Sequence, residues 1–166
     1  MNAIVAVNES WGIGKDDALL VHLSPDLKRF RQLTTGGTVI VGRKTLKTFP
    51  GGKPLPKREN IVLSRRSDLV IPGAVICGSV EEACAAIAGK NPETVFVIGG
   101  ASVYKAFLPL CNQVFVTQFR GGEQADSFFP NLDEDPCWKA AETGPWQEFE
   151  GIPFRYVLYQ RISADM

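Results

Sequence analysis

Near-continuous apolar runs alternate along this chain with stretches of helical period. Ala3 to Val7, Thr38 to Val41, Asn60 to Leu63, Ala74 to Ile76 and Thr94 to Ile98 are short and rich in β-branched residues, the pattern of strands buried on both faces. Between them, Ser79-Val80-Glu81-Glu82 has the capping-box form and predicts a helix through Ile87, and a shorter helix is expected after Gly99-Gly100. Alternation of this kind predicts an α/β fold with a buried, mostly parallel sheet flanked by helices. Gln113 to Phe119, Trp138 to Glu142 and Arg155 to Arg161 then read as strands with no helix-length segment between them, so the C-terminal part is expected to add antiparallel strands at the sheet edge. A length of 166 residues suits one core and a single domain, 1–166.

The segment from His22 breaks the pattern in one place. Ser24 stands at the expected N-cap with Pro25 at the first helical position, and Leu23, Leu27 and Phe30 recur at spacings of four and three to make one apolar stripe. Asp26 lies three residues after Leu23 and four before Phe30 and shares that stripe, whereas Lys28, Arg29 and Arg31 are expected to point elsewhere. A carboxylate on an inward face is desolvated, which raises its pKa and demands a cationic or proton-donating partner, a ligand included. A first-turn acid also complements the helix dipole, and the spacing alone leaves both readings open. Just upstream, Glu9 to Asp17 is a glycine-hinged loop, readable as a lid or as a plain connection.

Composition removes whole classes of function. Eighteen basic and eighteen acidic side chains cancel, so no global field draws the chain to nucleic acid or membrane, and any anion site must be local. The four cysteines form no C-x-x-C pair and the single His22 has no ligand neighbour at a useful spacing, so neither a metal site nor a disulfide framework is expected. No run approaches the length of a membrane span and no cleavable leader is evident, which points to a cytoplasmic protein.

Three strand ends carry groups that suit phosphates. Ile98-Gly99-Gly100-Ala101-Ser102-Val103-Tyr104 passes from strand to helix through two glycines, letting backbone N–H groups approach an anion. Gly42-Arg43-Lys44-Thr45 follows another strand with two cations and a hydroxyl, and Ser64-Arg65-Arg66-Ser67 follows a third. Gly37 and Gly42 have P-loop spacing, but Arg43 occupies the place of the P-loop lysine, so a triphosphate loop is rejected. Each motif alone has a structural explanation; together they suit an extended ligand with several phosphates at the carboxyl ends of the strands.

Six stretches in register then make the chain recognisable: Ile13-Gly14-Lys15, Asp26-Leu27-Lys28-Arg29-Phe30, Val41-Gly42-Arg43-Lys44-Thr45, Pro54 to Asn60, Ile98-Gly99-Gly100 with Tyr104, and Ala125 to Pro130. Their order and spacing resemble dihydrofolate reductase over essentially the whole chain. The resemblance implies an eight-stranded sheet with NADPH and dihydrofolate in one cleft, and a monomer without nucleic-acid or membrane partners. It makes Asp26 the ionisable active-site side chain, paired with the amino-pyrimidine edge of the pterin and promoting protonation of N5. It implies that Ile4, Val5, Leu27, Phe30, Phe49, Leu55 and Ile98 wall the substrate, that Arg58 holds the glutamate α-carboxylate, and that Thr117 bonds Asp26 or the pterin amino group. For the cofactor it implies Ala6, Ile13, Gly14 and Tyr104 at the nicotinamide, and Arg43, Lys44, Thr45, Gly100, Ala101 and Ser102 at the phosphates. Ser64 and Arg65 would take the adenosine 2′-phosphate, with Gly42, Leu63, Gly99 and Val103 completing the set.

One departure stands out. Where the family usually reads Leu-Pro-Trp before the helix, this chain has Leu19-Leu20-Val21, an aliphatic residue without an N–H. That opens a second reading, a catalytically weak NADPH- or folate-binding protein. A third, the pyrimidine reductase of riboflavin synthesis, shares the cofactor half, but Asp26 with Arg58 favours folate.

Overall fold

The computed structural model describes residues 1–16, 18–66, 68–121 and 124–162; Asp17 and Ser67, which close two of the loops read above, lie outside them. In chain order the elements are β1 (Asn2–Val7), β2 (Gly12–Lys15), β3 (Ala18–Leu19), α1 (Ser24–Thr34), β4 (Thr38–Gly42), α2 (Arg43–Leu46), β5 (Glu59–Leu63), β6 (Ala74–Cys77), α3 (Val80–Ile87), β7 (Val95–Val97), α4 (Ala101–Phe107), β8 (Gln113–Phe119), β9 (Ser127–Phe128), β10 (Trp138–Thr143), β11 (Gln147–Phe149) and β12 (Ile152–Arg161).

Eight strands form one sheet in the order β10-β12-β8-β1-β7-β4-β5-β6, and short β11 adds to β12. From β8 to β6 every neighbouring pair is parallel, while β12 runs antiparallel to β8 and β10 antiparallel to β12. This is the parallel body with an antiparallel C-terminal edge that the apolar runs predict. Val39, Ile40 and Val41 of β4 are all completely buried, which explains why that strand shows no polar alternation. Because β1, β4, β5 and β7 are parallel, their carboxyl ends at Val7, Gly42, Leu63 and Val97 emerge on one edge of the sheet. Gly37 and Gly42 lie at opposite ends of β4, so they cannot form one phosphate loop.

Three local expectations change. The first bond of α1 runs from the Leu27 N–H to the Leu23 carbonyl, so Leu23 is the N-cap and Ser24 caps nothing; its hydroxyl lies 3.4 Å from His22 Nε2. At α3, Ser79 does cap by accepting from the Glu82 N–H, but the Glu82 carboxylate accepts from Gly78 N, one residue before the reciprocal partner of a capping box. Third, the glycine-hinged loop contains β2, which pairs with β3 and β9 in a separate antiparallel sheet. A side chain at Gly14 would come within 2.8 Å of the Ala18 carbonyl, so the close strand approach here requires glycine and leaves no apolar period to read. Asp126 fastens this sheet: its N–H donates to the Gly14 carbonyl, and its carboxylate accepts from the Asp16 N–H, each at 2.9 Å.

Candidate active site

Asp26, in the first turn of α1, meets Thr117 from the middle of β8, where the Thr117 hydroxyl donates to Asp26 Oδ1 at 2.5 Å. Burial pushes the Asp26 pKa above the usual carboxylate value, against the opposing pull of the Thr117 hydrogen bond and the Arg29 charge. Asp26 opens on a cleft with mainly apolar walls, including Ala6, Ile13, Leu20, Val21, Leu27 and Phe119. Leu27 is more than a third exposed, so it belongs to the cleft wall rather than the core. A carboxyl group whose pKa is raised by desolvation in such a cleft keeps its proton more readily than a free one and is suited to pairing with a proton-donating ligand.

Arg29 departs from the sequence reading. Its guanidinium lies over the Tyr156 ring, 4.0 Å from the centroid, and 5.8 Å from that of Phe115, and its Nη1 is buried without a hydrogen-bond partner. The aliphatic stem lets an arginine on the flank of the helix fold back onto the sheet, a freedom that helix spacing does not express.

β1 supplies the floor. By strand alternation Ile4 and Ala6 share one face and Val5 the other, and Val5 packs in the main core with Val7. The Tyr104 hydroxyl, fully buried, donates to the Ile4 carbonyl at 2.7 Å, and burial raises its pKa far above the ordinary tyrosine value. Any contact of Val5 with a ligand in the cleft is therefore through its backbone.

Two helix starts lie side by side at the sheet edge. The Gly42 N–H donates to the Gly99 carbonyl at 2.8 Å, joining the end of β4 to the Gly99-Gly100 turn, whose peptide bond is cis. A side chain at Gly100 would sit 3.0 Å from Thr45 Oγ1, and one at Gly42 would sit 3.0 Å from Val103 Cγ2. These glycines thus let α2, with Arg43, Lys44 and Thr45, and α4, with Ala101, Ser102, Val103 and Tyr104, begin close together. Neither start has a side-chain cap, leaving backbone N–H groups available to an anion. Farther along the same edge, Ser64 and exposed Arg65 follow Leu63 at the end of β5, and the Ser64 N–H is tied to the Cys77 carbonyl.

At the C-terminal end of α1, Arg58 donates from Nε to the Pro56 carbonyl and from Nη1 to Thr34 Oγ1. Buried Asn60 holds this loop by bonding both the N–H and the carbonyl of Leu55 and the carbonyl of Arg58. Phe30 is half-buried on α1, and Phe49 and Ile98 pack against the Val41, Leu46 and Val62 cluster. Residues that the sequence reading passed over are Leu20 and Phe119 in the cleft wall, and Phe115 and Tyr156 beneath Arg29. Apolar period on β8 marked the two phenylalanines as strand residues, but nothing local distinguished them from core.

The family model for dihydrofolate reductase matches residues 1–161. A dihydrofolate reductase from Bacillus subtilis (strain 168) is 33% identical over 163 residues, covering 97% of this chain and 94% of the relative. One from Mycobacterium tuberculosis (strain ATCC 25618 / H37Rv) is 40% identical over 151 residues, covering 89% of this chain and 88% of that one. Among solved structures, dihydrofolate reductase from Enterococcus faecalis complexed with NADP(H) and RAB-propyl superposes with a TM-score of 0.86 at 34% identity, covering 98% of this chain and 96% of that one. Motifs in register, sheet order and end-to-end likeness thus converge, and the chain belongs to the dihydrofolate reductase family.

Proposed function

We propose that this chain reduces 7,8-dihydrofolate to 5,6,7,8-tetrahydrofolate with NADPH, as a monomeric, cytoplasmic, single-domain enzyme without nucleic-acid or membrane partners. Among the described residues no helix is long and apolar enough to cross a membrane. The observation that carries the reading is the Thr117–Asp26 pair, a partly buried carboxyl group facing an apolar cleft on the sheet edge where two uncapped helices begin. The relatives' shared name favours folate over a riboflavin precursor.

The residues fit the cofactor. Adjacent helix starts opened by Gly42 and Gly100, with Arg43, Lys44, Thr45 and Ser102 beside them, suit a pyrophosphate, and exposed Arg65 suits a further phosphate. When bound, NADPH supplies the hydride that C6 of the pterin accepts. Asp26 receives the amino-pyrimidine edge of the pterin, fixes its orientation and favours the form protonated at N5. Thr117 holds the carboxylate from one side, while Ala6, Ile13, Leu20 and Leu27 keep water from the reacting face. Arg58 takes the glutamate α-carboxylate, a role supported by the bonds to Thr34 and Pro56 that steady its guanidinium.

Val21 in the cleft wall supports a second reading, in which the fold and ligands are the same but turnover is feeble. Following the loss of NADPH absorbance on mixing with dihydrofolate tests both. Saturable turnover establishes the reductase; tight binding of both ligands without turnover establishes the weak-binder reading, and failure to bind either overturns the assignment.

A further inference from the structure

Arg29 is the one cation of α1 that lies against the sheet rather than against solvent. Tyr156 on β12 is paired in register with Thr117 on β8, and Thr117 donates to Asp26. The guanidinium that covers Tyr156 is therefore stationed at the rear of the same carboxylate, three residues along the same helix. A half-buried guanidinium whose Nη1 is buried without a partner is costly unless its charge is used, and a salt-bridge partner within contact distance is not what it has: the ion pairs found among the described residues are Arg66–Asp68 and Lys90–Glu59. Stacking on Tyr156 and the Asp26 charge are the compensations available to it.

We infer that Arg29 is a positioning residue for reduction, clamped by Tyr156 and Phe115 so that its charge holds Asp26 as a carboxylate from behind the cleft. The inference rests on the reading of Asp26 as the group that governs the proton. Around Asp26 the other titratable side chains are Tyr156 from β12, Tyr104 from α4 and His22 at the cleft mouth; Thr117 contributes a hydroxyl. Arg29 stays cationic throughout the neutral range, because even a pKa lowered by burial leaves an arginine protonated there. Without it, desolvation acts on Asp26 with less opposition. Asp26 then takes up its proton at higher pH.

The test compares Arg29→Gln and Arg29→Lys with the parent protein, reading the Asp26 carboxyl titration by carbon NMR and the pH dependence of single-turnover hydride transfer. NADPH affinity and denaturant unfolding report whether each variant is folded. The expected result is an upward shift of roughly half to one pH unit in both profiles for Arg29→Gln, with Arg29→Lys restoring the parent values because it keeps the charge. Tyr156→Leu, which removes the platform but not the charge, should move both profiles in the same direction and should do so even where Arg29→Gln fails to fold. An Asp26 titration unchanged in Arg29→Gln, or in Tyr156→Leu where the former is unfolded, overturns the role of Arg29. A carboxyl titration that moves while hydride transfer keeps its profile overturns the underlying reading of Asp26, and the role of Arg29 in turnover with it.

Discussion

Arg58 and Thr34 are joined across the start of the loop that follows α1: Arg58 Nη1 donates to Thr34 Oγ1 at 3.0 Å, and the same hydroxyl donates to the Phe30 carbonyl at 2.8 Å. A completely buried threonine thus fixes the direction of a half-exposed arginine. Thr34→Val should leave the maximal rate nearly unchanged and raise the KM for dihydrofolate about 2- to 10-fold, the size of one hydrogen bond of about 0.5 to 1.5 kcal/mol. An analogue lacking the glutamate should show no such difference. Steady-state kinetics with both substrates checks this.

Asp26→Asn should retain the fold and NADPH binding while losing about 10² to 10⁴-fold in turnover at neutral pH, with the deficit shrinking as pH falls and substrate arrives already protonated. The same substitution should stabilise the protein. A carboxyl group whose folded pKa lies above its unfolded value of 3.8 opposes folding when ionised, so the cost is full above the folded pKa and disappears below the unfolded one. Thermal unfolding at neutral pH should therefore favour Asn, and the two proteins should converge in acid.

Thr117→Val removes the donor that lowers the Asp26 pKa, so the carboxyl group should titrate higher than in the parent protein and the alkaline limb of the rate profile should move up with it. NMR titration of Asp26 together with single-turnover rates reads both quantities. An unmoved carboxyl titration contradicts the hydrogen bond.

The buried strands were legible from sequence because both their faces are covered, which leaves an unbroken apolar run. Asp26 was legible for the opposite reason, as a charge on a stripe where every neighbour is apolar. Arg29 was not: whether a long side chain turns to water or to the sheet depends on Phe115 and Tyr156, which lie 86 and 127 residues away. Strand β2 was also hidden, since Gly12 and Gly14 have no side chain to show an alternation and the partners that order them include Ser127 and Phe128. The resemblance located Arg58, but its anchor on Thr34 is a tertiary contact that no spacing rule contains.

Cofactor choice should follow charge placement on the strand ends. Arg65→Ala should weaken NADPH roughly 10- to 150-fold, the value of one hydrogen bond to a charged group at about 1.5 to 3 kcal/mol, while NADH barely changes; Arg43→Ala, beside the pyrophosphate that both cofactors carry, should weaken the two alike. Raising salt should narrow the parent's preference because Arg65 is exposed. Dissociation constants for both cofactors decide the matter, and equal losses for the two would place Arg65 away from the 2′-phosphate.

Val21→Trp should raise turnover or tighten diaminopyrimidine inhibitors if the cleft accepts the indole. Leu20 and Leu23 beside it make overpacking the competing outcome, at about 1 to 3 kcal/mol of stability. Unfolding curves separate the two. A stably folded variant with neither rate nor inhibitor affinity altered means that the chain has compensated elsewhere for the missing indole.

The latch at Asp126 makes the rim of the cleft a composite of two distant pieces of chain. Residues 12–15 cannot swing away from Ile13's place in the wall without surrendering the bonds that Asp126 and Phe129 make to Gly14, Asp16 and Trp11. The position of this part of the rim is consequently tied to a stretch of sequence more than a hundred positions away. Substitutions that touch neither ligand can therefore retune how this part of the wall opens and closes.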